Sequence, residues 1–265
     1  MLKRMMVVVA ASIVLSCTAS KPPPSPPQSE ARTYPQPSAE RPSAAPPAGT
    51  PGAGAPPTAV PPTAVPATVL PARGTYRIDS SQSELRLLVY RAGALASLGH
   101  NHVILNRTMN GFIEVGSTLA ASSFFFTASI EAFIVDDALA RSEEGEDFNS
   151  DVSDSAKTGT WNNMTGPAVL NAEKYPVIGV HSVRVEELQG VPTATVIVSV
   201  AGRDSSVLVP FVLHKETYGL SASASFELNQ SAIGMTPFTA MLGALAVRDT
   251  MVVKLKVIAQ LENPR

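Results

Sequence analysis

Gly219-Leu-Ser-Ala-Ser-Ala-Ser-Phe-Glu-Leu228 alternates without a fault between apolar and polar side chains. Leu220, Ala222, Ala224, Phe226 and Leu228 share one face, and Ser221, Ser223, Ser225 and Glu227 share the other. A period of two belongs to an extended chain with one face buried, so the stretch predicts an antiparallel strand. After the break Gly234-Met-Thr-Pro237, Met251, Val253, Leu255, Val257, Ala259 and Leu261 alternate with Lys254, Lys256 and Gln260, which predicts a second such strand. Two long one-faced strands need further apolar faces to bury against, and the chain before them should supply these.

It does so in short segments. Leu85, Leu87 and Val89 share a face within Glu84–Tyr90; a strand is expected over 102–115, and another over 122–135 with Phe124, Phe126, Ala128, Ile130, Ala132 and Ile134 on one side. Alternation stops between Asp136 and Met164, where a polar loop should lead into a short helix near Asp151–Asn163. The acidic run Glu143–Asp147 reads there as a solvated loop, and Trp161 and Met164 as residues that pack the helix on the sheet. Strands over 177–187, 193–200 and 206–214 complete the set. Seven or eight antiparallel strands at short spacing predict an all-β fold, and closure into a barrel removes the exposed edges that an open sheet would leave. Several inward positions are small, among them Ala128, Ala132, Ala194, Ala222 and Ala224. Small inward residues point to a cavity; the alternative is that facing Phe and Leu side chains fill the space.

The first part of the chain is different. Of 23 prolines, 17 lie at or before Pro71. Lys3 and Arg4 precede an apolar run from Met5 to Leu15, too short to span a bilayer, and Val14-Leu15-Ser16-Cys17 closes it with a small residue before the chain's only cysteine. This resembles a bacterial lipoprotein signal. The resemblance implies cleavage after residue 16, lipidation of Cys17 and attachment to a membrane, the outer one being favoured because Thr18 and not Asp follows. Residues 17–73 hold too few large apolar side chains to fold, and are expected to be a disordered tether for a domain over 74–262. A net charge of −2 gives no pull toward nucleic acid.

Catalytic motifs are missing from the sequence: there is no Gly-x-Ser-x-Gly elbow, phosphate loop, Cys-x-x-Cys or His-Glu-x-x-His. No cofactor is expected. Gly99-His-Asn-His-Val103 sets His100 and His102 on one face if extended, a feasible pair of imidazole ligands that would need His181, His214, Asp136 or Asp137 as a third. The alternative for the pair is a hydrogen-bonded turn entering the second strand.

Tyr76-Arg-Ile-Asp79, Leu170-Asn-Ala-Glu-Lys-Tyr-Pro-Val-Ile178 with Ser182, and Phe226-Glu-Leu-Asn-Gln-Ser-Ala-Ile-Gly-Met-Thr-Pro-Phe238 followed by Gly243-Ala-Leu-Ala-Val-Arg-Asp249 together resemble the YceI-like family, in order, over residues 74–262. The resemblance implies a lipocalin-like antiparallel barrel whose tunnel holds a polyisoprenoid or similar lipid in some members, and a homodimer in some. Val200-Ala-Gly-Arg-Asp-Ser-Ser206 departs from the family's pattern. The expectation is thus a non-enzymatic, membrane-tethered binding protein of the periplasm or cell surface. Its ligand walls would be Phe124, Phe126, Ile130, Ala222, Ala224 and Phe226, with a polar head against His100 or His102, and Ala224→Trp would block it. A metal-dependent enzyme built on His100 and His102, or a packed barrel without ligand, are the alternatives.

Overall fold

A computed structural model describes residues 68–262. The signal-like segment, Cys17 and the Pro-rich stretch to residue 67 lie outside them. The strands are β1 (Gly74–Ile78), β2 (Glu84–Val89), β3 (Arg91–Ala92), β4 (His102–Asn106), β5 (Asn110–Val115), β6 (Ser123–Ser129), β7 (Ile134–Val135), β8 (Val177–Leu188), β9 (Val191–Val200), β10 (Arg203–Pro210), β11 (Val212–Lys215), β12 (Gly219–Asn229), β13 (Thr239–Ala240), β14 (Leu245–Val247) and β15 (Thr250–Leu261). Two α-helices, α1 (Ala138–Ser142) and α2 (Asp154–Thr165), lie between β7 and β8.

Pairing closes these strands into a barrel. β15 pairs with β12 along its whole length on one side, from Thr250↔Asn229 to Gln260↔Gly219, and with β2 and then β1 on the other. β1 and β2 therefore form one broken wall. The next is β4 with β5, paired to β2 and β1; the next is β6 with β7, paired to β5 and β4. β8, β9 and β10 follow, and β11 returns to β12. The result is a closed antiparallel barrel of eight walls in chain order, as the alternation predicts. β3, β13 and β14 form a small separate sheet.

Three expected strands are broken, each for a local reason. In 102–115 the Asn106 side chain accepts the N–H of Thr108 at 2.8 Å, which turns the chain between β4 and β5. In 122–135 the Ile130 N–H still donates in register to Pro176 O, but Pro176 has no N–H to return, and the chain turns there as the Ala132 and Phe133 N–H groups bond back to Ser129 O and Ile130 O. In 206–214 Pro210 brings no N–H, and the Phe211 N–H crosses to Pro192 O. The two-residue hairpins Gln189-Gly190 and Ala201-Gly202 have positive φ at both positions, 53° and 80°, then 49° and 74°. That turn twists in the same sense as the strands it joins.

Most of the acidic run is solvated, as its charge predicts, with Glu143, Glu146 and Asp147 exposed, but Glu144 is covered. Glu144, its side chain 3% exposed, accepts from Arg86 and Lys254, while Arg86 also binds Glu84 and Glu143. Burial raises the Glu144 carboxyl, but hydrogen bonds from Lys254 and Arg86 outweigh it and hold the group below the usual carboxylate range. This network fastens the segment after α1 to the outer face of β2 and β15. Arg86→Ala should lower stability by about 2 kcal/mol, since several charge-assisted bonds go at once; a urea midpoint that falls at unchanged slope would show it.

Candidate ligand-binding site

The inward parity of the strands leaves the barrel hollow at one end. A cavity of about 500 Å³ lies there, within the range of pockets that enclose small molecules. Its walls are apolar: Leu87 and Val89 of β2, Val198 of β9, Phe226 of β12 and Met251 and Val253 of β15 are among them. A second cavity of about 100 Å³ occupies the other end, lined by Ile113, Leu220, Ala222, Ala224 and Val257. Phe124, Phe126, Val209 and Leu255 line both, so they form the partition; the rings of Phe124 and Phe126 stack there with centroids 6.4 Å apart.

Helix α2 closes part of the larger chamber. Ser153 caps it, accepting the Ala156 N–H at 3.3 Å, and the helix stops before Gly166. Thr160, Asn163 and Met164, at helical spacings of three and four, face the chamber together. Met164 thus both packs the helix on the barrel, as expected, and lines the cavity.

At this end the wall is polar. His102 Nδ1 lies 2.6 Å from Asp136 Oδ2, and His102 Nε2 lies 3.3 Å from Thr160 Oγ1. Asp136 Oδ1 accepts the Val103 N–H at 2.9 Å and Arg141 Nη1 at 2.6 Å. Arg141 also donates to Asn101 O at 2.7 Å and to Ser150 O at 3.0 Å. The Asp136 side chain is fully buried and that of Arg141 only 8% exposed. Burial raises the Asp136 carboxyl; hydrogen bonds from His102, Val103 and Arg141 more than reverse this, and the group is held below its ordinary value. Asp136 also has a left-handed backbone, φ 55°. Its N–H bonds Val103 O at 2.8 Å and extends the short β4–β7 ladder, so packing and hydrogen bonds hold a conformation that costs free energy in isolation.

The order hydroxyl, imidazole, carboxylate is one in which a base accepts a proton. Thr160 stands in the middle of α2, however, where neighbouring backbone N–H groups are spent inside the helix. Its own backbone therefore offers no N–H to a bound oxygen, which leaves the side chains of Thr160, Asn163 and His102 as the polar groups that face it.

Among the predicted residues, Phe124, Phe126 and Phe226 line the larger chamber, as do His100 and His102, whose rings meet edge to face at 6.3 Å. Ala222 and Ala224 line only the smaller one. Ile130 lines neither; it is fully buried in the apolar cluster with Phe133, Leu170 and Val253, where the chain turns out of β6. His181 and His214 are exposed. Among the described residues no three His, Cys, Asp or Glu side chains converge in a metal-binding group, and His102 already spends Nδ1 on Asp136. Thr160, Asn163 and Arg141 are site residues that the alternation and motif patterns missed.

No family model matches the chain, and no curated protein matches it. Several solved structures are similar. BcnA from Burkholderia cenocepacia aligns over 69% of this chain and 99% of its own, at 13% identity and a TM-score of 0.51. A polyisoprenoid binding domain from Saccharophagus degradans, implicated in plant cell wall breakdown, aligns over 71% and 98% at 10% identity and a TM-score of 0.46. A YceI protein of Campylobacter jejuni aligns over 58% and 82% at 11% identity and 0.42. At 13% identity the likeness to BcnA speaks to fold alone: the described domain is a lipocalin-like antiparallel barrel that shares the fold of BcnA.

Proposed function

We propose that the domain is a carrier that encloses an apolar, lipid-like molecule in its barrel and does no chemistry on it. The observation that carries this is the larger chamber: about 500 Å³ of space, walled by aliphatic and aromatic side chains from all around the barrel. A hollow of this kind is unfavourable in a core unless something fills it, since each missing contact costs dispersion and burial. In the same proposal Cys17 is lipidated and the Pro-rich stretch tethers the domain, which works in the periplasm or at the cell surface; the lipoprotein-like signal supports this part.

Native mass spectrometry of the full-length protein, purified from bacterial membranes, tests the carrier reading. The expected result is a co-purifying mass in the lipid range that organic extraction removes. A protein that carries no such mass and takes up no fluorescent apolar probe overturns it. About one metal ion per chain, lost in His100→Ala, would put the metal-dependent alternative in its place.

A further inference from the structure

The polar end of the larger chamber presents one acceptor of defined orientation. Asp136 is ionised, so it accepts and never donates, and the proton between it and His102 must sit on Nδ1. Nε2 then faces Thr160 and the chamber, and it is a lone-pair acceptor when the ring carries only the Nδ1 proton. The positive charge of Arg141 is matched by Asp136, 2.6 Å away, so this buried corner carries no net charge to attract an anion. Arg91, on the rim, already gives Nη1 to Gly99 O at 2.7 Å.

From this geometry we propose that the corner is a headgroup site for a neutral hydroxyl: the enclosed ligand is an apolar chain ending in an alcohol. That hydroxyl donates to His102 Nε2 and accepts from Thr160 Oγ1, with the Asn163 amide one helical turn further along. The assignment rests on the carrier reading and adds the chemistry of the head. An ether or ester oxygen only accepts, so it competes with Nε2 for the Thr160 proton and leaves one of the two unserved. Sites built around a hydroxyl reject analogues without one for this reason.

The test uses the full-length protein in lipid nanodiscs, with dodecanol, its methyl ether and dodecyl phosphate each displacing a fluorescent fatty probe, corrected for uptake by empty nanodiscs. Dodecanol should displace the probe at concentrations about tenfold below those of the methyl ether. In His102→Asn the side-chain amide keeps an N–H toward Asp136 but has nothing at the place of Nε2, and the ratio should collapse to about one with the ether little changed. Thr160→Val, which leaves Asp136 and Arg141 untouched, should cut the ratio at least about threefold and serves if His102→Asn fails to fold. Equal binding of alcohol and ether, a ratio that survives both substitutions, or a preference for dodecyl phosphate would overturn the headgroup assignment while leaving the carrier reading intact. If the protein takes up no probe beyond that of empty nanodiscs, the carrier reading falls as well.

Discussion

Asp136→Ala is expected to destabilise the domain by about 3–5 kcal/mol, the usual cost of removing one partner from a buried ion pair. The reason is what remains behind. Arg141 would keep its charge in a nearly closed site with no anion beside it, left with the carbonyls of Asn101 and Ser150, the Ser150 hydroxyl and the Phe148 ring, and the Val103 N–H would lose its acceptor. For a domain of this size each kcal/mol moves the melting temperature by roughly 2–4 °C, so a drop of about 10 °C or more should be seen by circular dichroism. The effect has a pH signature. Because the folded-state pKa of Asp136 is depressed, its contribution is complete above the unfolded carboxylate value of about 4 and is lost as pH falls through the folded value. The gap between wild type and Asp136→Ala should therefore narrow as the pH falls below about 4. A gap that widened on acidification would mean that Asp136 is not held as an anion.

The same residue shows why the fold was more legible than the site. Strand faces are local: Leu220 to Leu228 and Met251 to Leu261 state their parity within about ten residues, and the buried and exposed positions of β12 and β15 follow it. Closure follows from seven or eight such faces with no other surface to cover them. The site is assembled across distance. Asp136 reaches His102 from 34 positions away, through a β4–β7 ladder of only two residue pairs, and Thr160 on α2 reaches His102 from 58 positions away. No periodicity in either segment announces that pairing. The visible signal was the His100–His102 spacing, which names one member of the relay and nothing of its partners. Arg141 and Glu144 looked like surface charge for a related reason: a sequence shows where charge is dense, but not which members of a dense run are later covered. Ile130 keeps the inward parity of Phe126 and Ala128 but packs into filled core, and parity does not tell a filled inward position from one that faces a chamber.

Val198→Trp should abolish uptake of apolar ligand while leaving the barrel folded. The choice of position matters. Ala224→Trp, the substitution suggested by the small inward residues, would push an indole into a chamber of about 100 Å³ that the Phe124 and Phe126 rings already bound. Overpacking costs typically about 1–3 kcal/mol and forces the wall outward, so its loss of binding would be indistinguishable from damage. Val198 instead sits near the end of β9, paired between Val180 and Ser205, and faces the chamber of about 500 Å³. There the indole meets open volume and covers apolar surface now left bare, which should hold stability within about 1 kcal/mol of wild type. The ligand bears the whole effect. A chain that buries roughly 300 Å² of apolar surface gains about 7 kcal/mol from it, and a ring that displaces half of the chain removes about 3–4 kcal/mol, or more than a hundredfold in affinity. The measurement pairs a melting curve with displacement of a fluorescent apolar probe. Unchanged melting with lost binding locates the ligand inside the barrel; unchanged melting with unchanged binding places any ligand elsewhere on the protein, and the chamber would then need another account.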